Sequence, residues 1–456
     1  MTTTQIHCYM KKLLTIALAL TAGLVLEDSV RAQYYKDLFM DGGINITSRK
    51  DLPSARYLGI SWEAYYSADT KNLSLKDTLE QTAKMVTSDV DYNGCLLYPD
   101  GAPRFRVIYE NGGKAGKHGE SLTEVGRKHI CDFVANGGSY IGTCAGAFVS
   151  SIADTDFEEK LGKCKEDQND KVRWEYLGVY PARTLSTRRL TKDHWGHKVY
   201  TGQKIEPGSP LLKYFDFGGD MYIDSVYHNG GCFITTDPKH FAPGTEILMR
   251  YDFDKDDIRQ EEGIFPISGH ISTWAYKAGD FSGRVVDCGS HPEGVTSGEQ
   301  LQLFSSFILY AMDGNGNPVV KGELAKGKTR KMVKKTEDND PAFTKIGDKQ
   351  YHHFTVNIPE GAKDITVTLK SDSKDVDLNL FMKKGDFAFK KGSTYHDITL
   401  GVNKELKFAG LEAGTWYIGV ECATTVGEKK TDYGVEYTGN LEVLNGIPYT
   451  IEVNWK

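Results

Sequence analysis

Several scarcities in this chain of 456 residues exclude whole classes of function. Its 55 Lys and Arg are outnumbered by 62 Asp and Glu, for a net charge of -7. Nothing in that balance resembles the basic surplus of a polyanion binder, so nucleic acid is not an expected partner. Eight cysteines are too few to build a disulfide scaffold in a chain of this length. Beyond the N-terminal segment no apolar run approaches the roughly 20 residues that a membrane-spanning helix needs, so no stable membrane insertion is expected once that segment is removed. What the chain does have is glycine, 48 residues of it, which marks many tight turns and close backbone approaches. A hydrophobic content of 39% with 11% aromatics is ordinary for packed domains. At roughly 150 residues per domain the length allows two or three of them.

Residues 1–32 read as a leader. Met10-Lys11-Lys12 supply a basic start, Leu13 to Leu26 an apolar core, and Val30-Arg31-Ala32 a small-residue cleavage site. The run is short for a membrane span, and Glu27 and Asp28 follow it at once. The expectation is export, to a secreted or periplasmic location. The residue after the cut is Gln33 and not Cys, which gives no support to a lipid anchor.

From 33 to 312 short apolar runs alternate with amphipathic stretches, the pattern of an α/β domain with an open, mostly parallel sheet flanked by helices. FRVIYE at 105–110 reads as a strand ending at Asn111-Gly112-Gly113. A helix is predicted from Ser121, with Ser121 and Glu124 as a capping box and Gly137-Gly138 as its stop. SYIGT then forms a second strand that runs into Cys144. Residues 313–340 read as a basic linker, because Lys321 to Lys335 hold seven Lys or Arg against the single Glu323. From 341 to 456 period-two segments such as HFTVNI, DITVTLK and YTIEV predict an all-β antiparallel sandwich.

Cys144 lies in Gly142-Thr143-Cys144-Ala145-Gly146, where flanking small residues permit the strained strand-to-helix turn of a nucleophile elbow. A cysteine at a strand end is ordinarily a packing residue. Here the elbow context would expose the sulfur above the sheet, aim the Ala145 N–H at a developing oxyanion, and let the helix N-terminus favour the thiolate. A cysteine nucleophile needs a base and an orienting carboxylate. His291 and Glu293 in Ser290-His291-Pro292-Glu293 follow a predicted strand and, two residues apart in extended chain, project to one side.

YENGG at 109–113, NGGSYIGTCAGAF at 136–148, VYHNGG at 226–231 and GRVVDCGSHPEG at 283–294 together resemble the class I glutamine amidotransferase-like superfamily, closest to the family named for the N-terminal domain of biotin-protein ligase. The resemblance implies Cys144 as nucleophile, His291 as base and Glu293 as its partner. It also implies Gly112 and Gly113 as the oxyanion loop, with Tyr227, His228 and Asn229 near the substrate pocket, where His228 reads equally as a structural turn residue. Two departures stand out. Asn111 replaces the family's usual proline, and neither a biotin ligase catalytic domain nor a synthetase domain accompanies the motifs. The expected function is hydrolysis of an amide, peptide or other, without cofactor or metal. The alternative is a non-catalytic binding or scaffold protein on the same fold. KDVDLNLFMKKG at 374–385 and GTWYIGVE at 414–421 resemble the bacterial pre-peptidase C-terminal domain, a sandwich appended to secreted hydrolases; Asp375 and Asp377 there read as turn residues more than calcium ligands.

Other patterns carry less. GELAKGKT at 322–329 matches the phosphate-binding loop letter for letter but precedes no apolar helix. Asp252, Asp254 and Asp256 lack the glycine and terminal glutamate of a calcium loop. His194 and His197 lack further ligands for zinc. With Cys8 in the leader and Cys144 free, six cysteines remain, of which at most one or two pairs are expected to bridge.

Overall fold

A computed structural model describes residues 33–42, 51–66, 95–152, 176–190, 198–252, 267–431 and 434–456. The leader, Cys164, His194, His197, Asp254 and Asp256 lie outside the described residues. The chain forms two compact units. The larger comprises Lys36–Pro318 with Gly427–Thr438; the smaller comprises the described residues up to Tyr35, Val319–Val426 and Gly439–Lys456.

The larger unit is built on β1 (Lys36–Gly42), β2 (Trp62–Tyr66), β3 (Phe105–Glu110), β4 (Ser139–Thr143), the short β5 (Leu185–Ser186), β6 (Lys198–Ile205), β7 (Tyr222–Asn229), the short β8 (Cys232–Phe233), β9 (Glu246–Asp252), β10 (Ile271–Lys277) and β11 (Arg284–Cys288). Nine of these make one sheet in the order β2-β1-β3-β4-β11-β10-β9-β6-β7. β2, β1, β3, β4 and β11 pair in parallel. From β11 through β10, β9 and β6 to β7 every pairing is antiparallel. The sheet is therefore mixed, where the sequence pattern predicted a mostly parallel one. The reason lies in the connections: a parallel neighbour requires a crossover of a dozen or more residues, and only the short turn 278–283 separates β10 from β11.

β3 and β4 are buried along their whole length, as expected of central strands covered on both faces. Helix Gly298–Asp313 buries Leu303, Phe304, Phe307, Ile308 and Ala311 in one apolar cluster with Leu38, Val107, Tyr109, Ile141 and Val286 from the sheet. Each large side chain so buried contributes roughly 1.5–3 kcal/mol. The helix predicted from Ser121 is instead two helices, Ala115–Ser121 and Thr123–Ala135. Thr123 turns at φ 58° between them, and the second helix begins after Leu122 with no side-chain cap. Leu122 and not Ser121 thus precedes the second helix, because the chain is already helical when it reaches Ser121. The predicted stop holds: the helix ends at Ala135 and Gly137 turns at φ 112°.

The smaller unit contains a five-stranded and a four-stranded sheet. Its strands are β12 (Val320–Glu323), β13 (Arg330–Met332), β14 (Tyr351–Ile358), β15 (Lys363–Lys370), β16 (Leu378–Lys384), β17 (Tyr395–Asp397), β18 (Lys404–Gly410) and β19 (Gly414–Cys422). β20 (Gly427–Thr431) and β21 (Gly434–Thr438) form a hairpin counted with the larger unit, and β22 (Tyr449–Asn454) completes the smaller one. The sheet orders are β12-β14-β19-β16-β17 and β13-β22-β15-β18. Period two is visible in the burial of Ile365, Val367 and Leu369 on β15 and of Tyr449, Ile451 and Val453 on β22. The stretch read as a basic linker supplies β12 and β13, one at the edge of each sheet. Lysine and arginine on edge strands discourage pairing with other chains, so the very charges that protect these edges make them read as linker. The phosphate-loop look-alike falls on β12 and the turn into β13, with no helix after it. Asp377 accepts a bond from the Gly401 N–H, a turn-stabilising role.

Candidate active site

β4 delivers Cys144 to the C-terminal edge of the parallel strands, immediately before helix Ala145–Val149. Its backbone sits at φ 50°, ψ -100°, a region L-residues rarely occupy and one that costs of order 1–3 kcal/mol. Two glycines make the turn possible. A Cβ on Gly142 would lie 2.6 Å from the Ala147 nitrogen, and one on Gly146 only 2.1 Å from the Glu110 carbonyl oxygen. Backbone bonds tie the turn on both sides: Cys144 N–H donates to Cys288 O at 2.8 Å and Gly146 N–H to Asn111 O at 3.1 Å. The N–H of Ala145, between them, has no protein acceptor among the described residues.

His291 follows β11, and its N–H donates to Tyr227 O at 2.8 Å. Its Nδ1 meets Glu293 Oε1 at 2.9 Å, and Glu293 is 1% exposed. Cys144 also acts on the imidazole electrostatically. Burial opposes a charge on His291, but Cys144 and Glu293 outweigh it and hold the imidazole well above its usual value. Gly112 lies against the ring: a Cβ there would fall 2.0 Å from His291 Cε1. Cys144, Ala145, His291, Glu293 and Gly112 are thus brought together, while Gly113 next to them is exposed.

The alternation of β7 separates the three pocket candidates. Tyr227 and Asn229 are half-buried, and the Tyr227 ring stands 5.6 Å from the His291 ring. His228 points the other way, 2% exposed, with Nε2 at 2.9 Å from Thr187 Oγ1 and Nδ1 at 3.2 Å from Ser290 Oγ. It braces Ser290, the residue before His291.

The neighbouring thiols are poor nucleophiles. Burial pushes Cys288 up to about 12 and Cys232 well above the ordinary thiol value. Cys131, Cys144, Cys232, Cys288 and Cys422 are free thiols.

Beneath the turn lie groups that sequence reasoning missed. Asp287 is fully buried and bonded to Ser150 Oγ at 2.7 Å; burial raises its carboxyl well above the usual range. Glu110 is pushed up by burial against the pull of His118, and Tyr140 links it to the elbow, its hydroxyl 3.1 Å from Glu110 Oε2 and 2.8 Å from Gly146 O. Burial disfavours the charge on His118, yet Asp41 and Glu110 raise it to about 10. No spacing rule links Asp41, Glu110 and His118 in the sequence, because the sheet alone brings them together.

A strained cysteine at a strand-to-helix turn, faced by a histidine held by a glutamate, follows directly after β3 and β4. Residues 105–168 match the biotin-protein ligase N-terminal family model. This biotin-protein ligase N-terminal-like segment carries Gly112, Gly113, Cys144 and Ala145; His291 and Glu293 fall outside it. No curated protein matches the chain. Among solved structures, the pre-peptidase C-terminal domain of a collagenase from Bacillus anthracis is similar at 14% identity and a TM-score of 0.19, covering 30% of this chain and all of that one. The insecticidal delta-endotoxin Cry8Ea1 from Bacillus thuringiensis is similar at 9% identity and a TM-score of 0.15, covering 57% of this chain and 52% of that one.

Proposed function

We propose that this chain is an exported cysteine-nucleophile hydrolase that cleaves a carbon–nitrogen amide bond, peptide or other, through Cys144, His291 and Glu293. The larger unit is read as an amidotransferase-like α/β domain and the smaller as a β-sandwich of pre-peptidase C-terminal type. Export rests on the Lys11-Lys12 start, the apolar run and the Val30-Arg31-Ala32 site; fractionation of expressing cells checks it by finding the chain outside the cytoplasm.

The observation that carries the reading is the strained backbone of Cys144, φ 50° and ψ -100°, with an imidazole bonded to a buried carboxylate at 2.9 Å facing it. Strain of this kind persists where the surroundings hold a side chain in a working position. In the proposed cycle the Cys144 thiolate attacks the carbonyl carbon, and the Ala145 N–H with the Gly112-Gly113 loop holds the oxyanion. His291 passes its proton to the leaving amine as the C–N bond breaks. Water then attacks the thioester, giving a proton to His291, and the acid leaves as the thiolate reforms. Loss of one oxyanion donor in such a site costs about 100- to 1000-fold in rate.

The test is a screen of the purified protein and its Cys144→Ala form against amides and peptides, with an electrophilic amide probe to trap the acyl-enzyme. Turnover and trapping that vanish in Cys144→Ala support the proposal. Turnover that survives the substitution refutes it, and failure of Cys144 to label favours a non-catalytic scaffold.

A further inference from the structure

We propose that Asp41, Glu110 and His118 form a buried site for a divalent transition-metal ion of the zinc class, which fixes the loop carrying Gly112. The three residues come from the end of β1, the last position of β3 and helix Ala115–Ser121. They are 2%, 0% and 1% exposed. His118 Nε2 stands 3.2 Å from Asp41 Oδ2 and 3.3 Å from Glu110 Oε2, and one donor atom from each residue lies within 4.8 Å of the others.

Those separations are long for charge-assisted hydrogen bonds, which run at about 2.7–2.9 Å. They match the edge of a tetrahedron with bonds of about 2.1 Å to nitrogen and oxygen, which is about 3.4 Å. A second observation concerns Glu110 alone. Its other oxygen, Oε1, is buried and makes no hydrogen bond, so this carboxylate has a donor to spare for the ion or for a water on it. The chemistry of the set agrees. Two ionised carboxylates balance the charge of a divalent cation, whereas one imidazolium balances only one of them. One imidazole with two carboxylates and no thiolate suits zinc and its first-row neighbours, and three protein ligands leave a fourth position for water.

The placement gives the ion a task. Glu110 precedes Asn111-Gly112-Gly113 and His118 follows it, so two ligands grip the loop from both ends while Asp41 anchors them to the neighbouring strand β1. The ion would hold Gly112 against His291 without touching the reacting atoms. The site does not depend on the hydrolase reading, and its test reads metal and not turnover.

The experiment uses the full chain in a Cys144→Ala background, so that the Cys144–His291 pair cannot supply the metal site. After dialysis against a chelator, zinc chloride is titrated while bound zinc and the unfolding temperature are followed; cobalt chloride then reports the ligands by its visible spectrum. One equivalent of zinc, a raised unfolding temperature, and a tetrahedral cobalt spectrum without thiolate charge transfer are expected. Added Asp41→Asn should lose that equivalent and the temperature shift, and so should His118→Gln wherever its circular dichroism remains that of the parent. Equal zinc uptake by the Asp41→Asn chain overturns the proposal, as does a parent chain that takes up no stoichiometric zinc.

Discussion

If the elbow stores strain at Cys144, removing the Cβ there should behave unlike removing a Cβ elsewhere in the same turn. Consider the step from Cys144→Ala to Cys144→Gly, with Ala147→Gly as the control. Ala147 is fully buried in helix Ala145–Val149. Its replacement loses about 1 kcal/mol of helix preference and about 0.8 kcal/mol of buried methyl, roughly 2 kcal/mol together. The step at Cys144 loses a similar methyl and about 0.5–1 kcal/mol of glycine flexibility in the unfolded chain. It also recovers the 1–3 kcal/mol held in a φ of 50°. The control should therefore be the more destabilising change by about 1–3 kcal/mol. At about 2–4 °C per kcal/mol for a domain of this size, Ala147→Gly should lower the unfolding temperature of the larger unit by about 4–8 °C. The Cys144 step should leave it within a few degrees or raise it. Scanning calorimetry of the purified variants decides the matter without a substrate. Equal losses at both positions would refute the strained elbow, and with it the structural basis for calling Cys144 a nucleophile.

Gly112→Ala would place a Cβ 2.0 Å from His291 Cε1, so the ring must swing away. An ångström-scale misplacement costs about 100-fold, and the rate of acyl-enzyme trapping should fall at least that far with the fold intact by circular dichroism; unchanged trapping contradicts the placement. Because His291 is held above the usual imidazole value of about 6.5, its charged form persists above that pH. The alkaline limb of kcat/KM should therefore lie higher than 6.5, and Glu293→Gln should pull it down; a limb at 6.5 in both chains sinks this reading. In the smaller unit His353 is fully buried against Phe387 and Phe389, at 4.9 and 4.6 Å between ring centroids, and burial lowers it to about 3. Below 6.5 the unfolded chain takes a proton that the folded one refuses. The stability this group contributes is thus present above 6.5 and falls as pH drops towards 3, by about 1.4 kcal/mol per unit, or roughly 2 kcal/mol at pH 5. Urea unfolding at pH 7 and pH 5 measures it, and His353→Phe should lose that part of the slope.

The parts of the site legible in the sequence are those that local chemistry forces. A strained turn needs small neighbours, so Gly142 and Gly146 announce Cys144, and a two-residue spacing in extended chain lets Glu293 reach His291. The parts that were hidden depend on which strands become neighbours. Asp41 meets Glu110 only because β1 and β3 pair, and His118 joins them from a short helix that the Ser121 capping pattern displaced. His228 was ambiguous because its pocket or scaffold role turns on the phase of β7, which two flanking glycines do not reveal. In the fold, alternation identified the β-rich C-terminal part, but edge strands β12 and β13 lack apolar alternation, and their lysines imitate a linker. The antiparallel half of the large sheet escaped notice because short buried strands look alike in either direction.

The order in which the chain arrives bears on when the site exists. Cys144 N–H is bound to Cys288 O, and His291 and Glu293 follow on the same strand end, far downstream. A growing chain that has folded only through the elbow holds Cys144 without His291 and without the neighbour that anchors its backbone. On the proposed reading, topology alone withholds reactivity from the partly made protein. The long-range pairing of β4 with β11, a slow class of contact to form, is then the event that would bring His291 and Glu293 to Cys144.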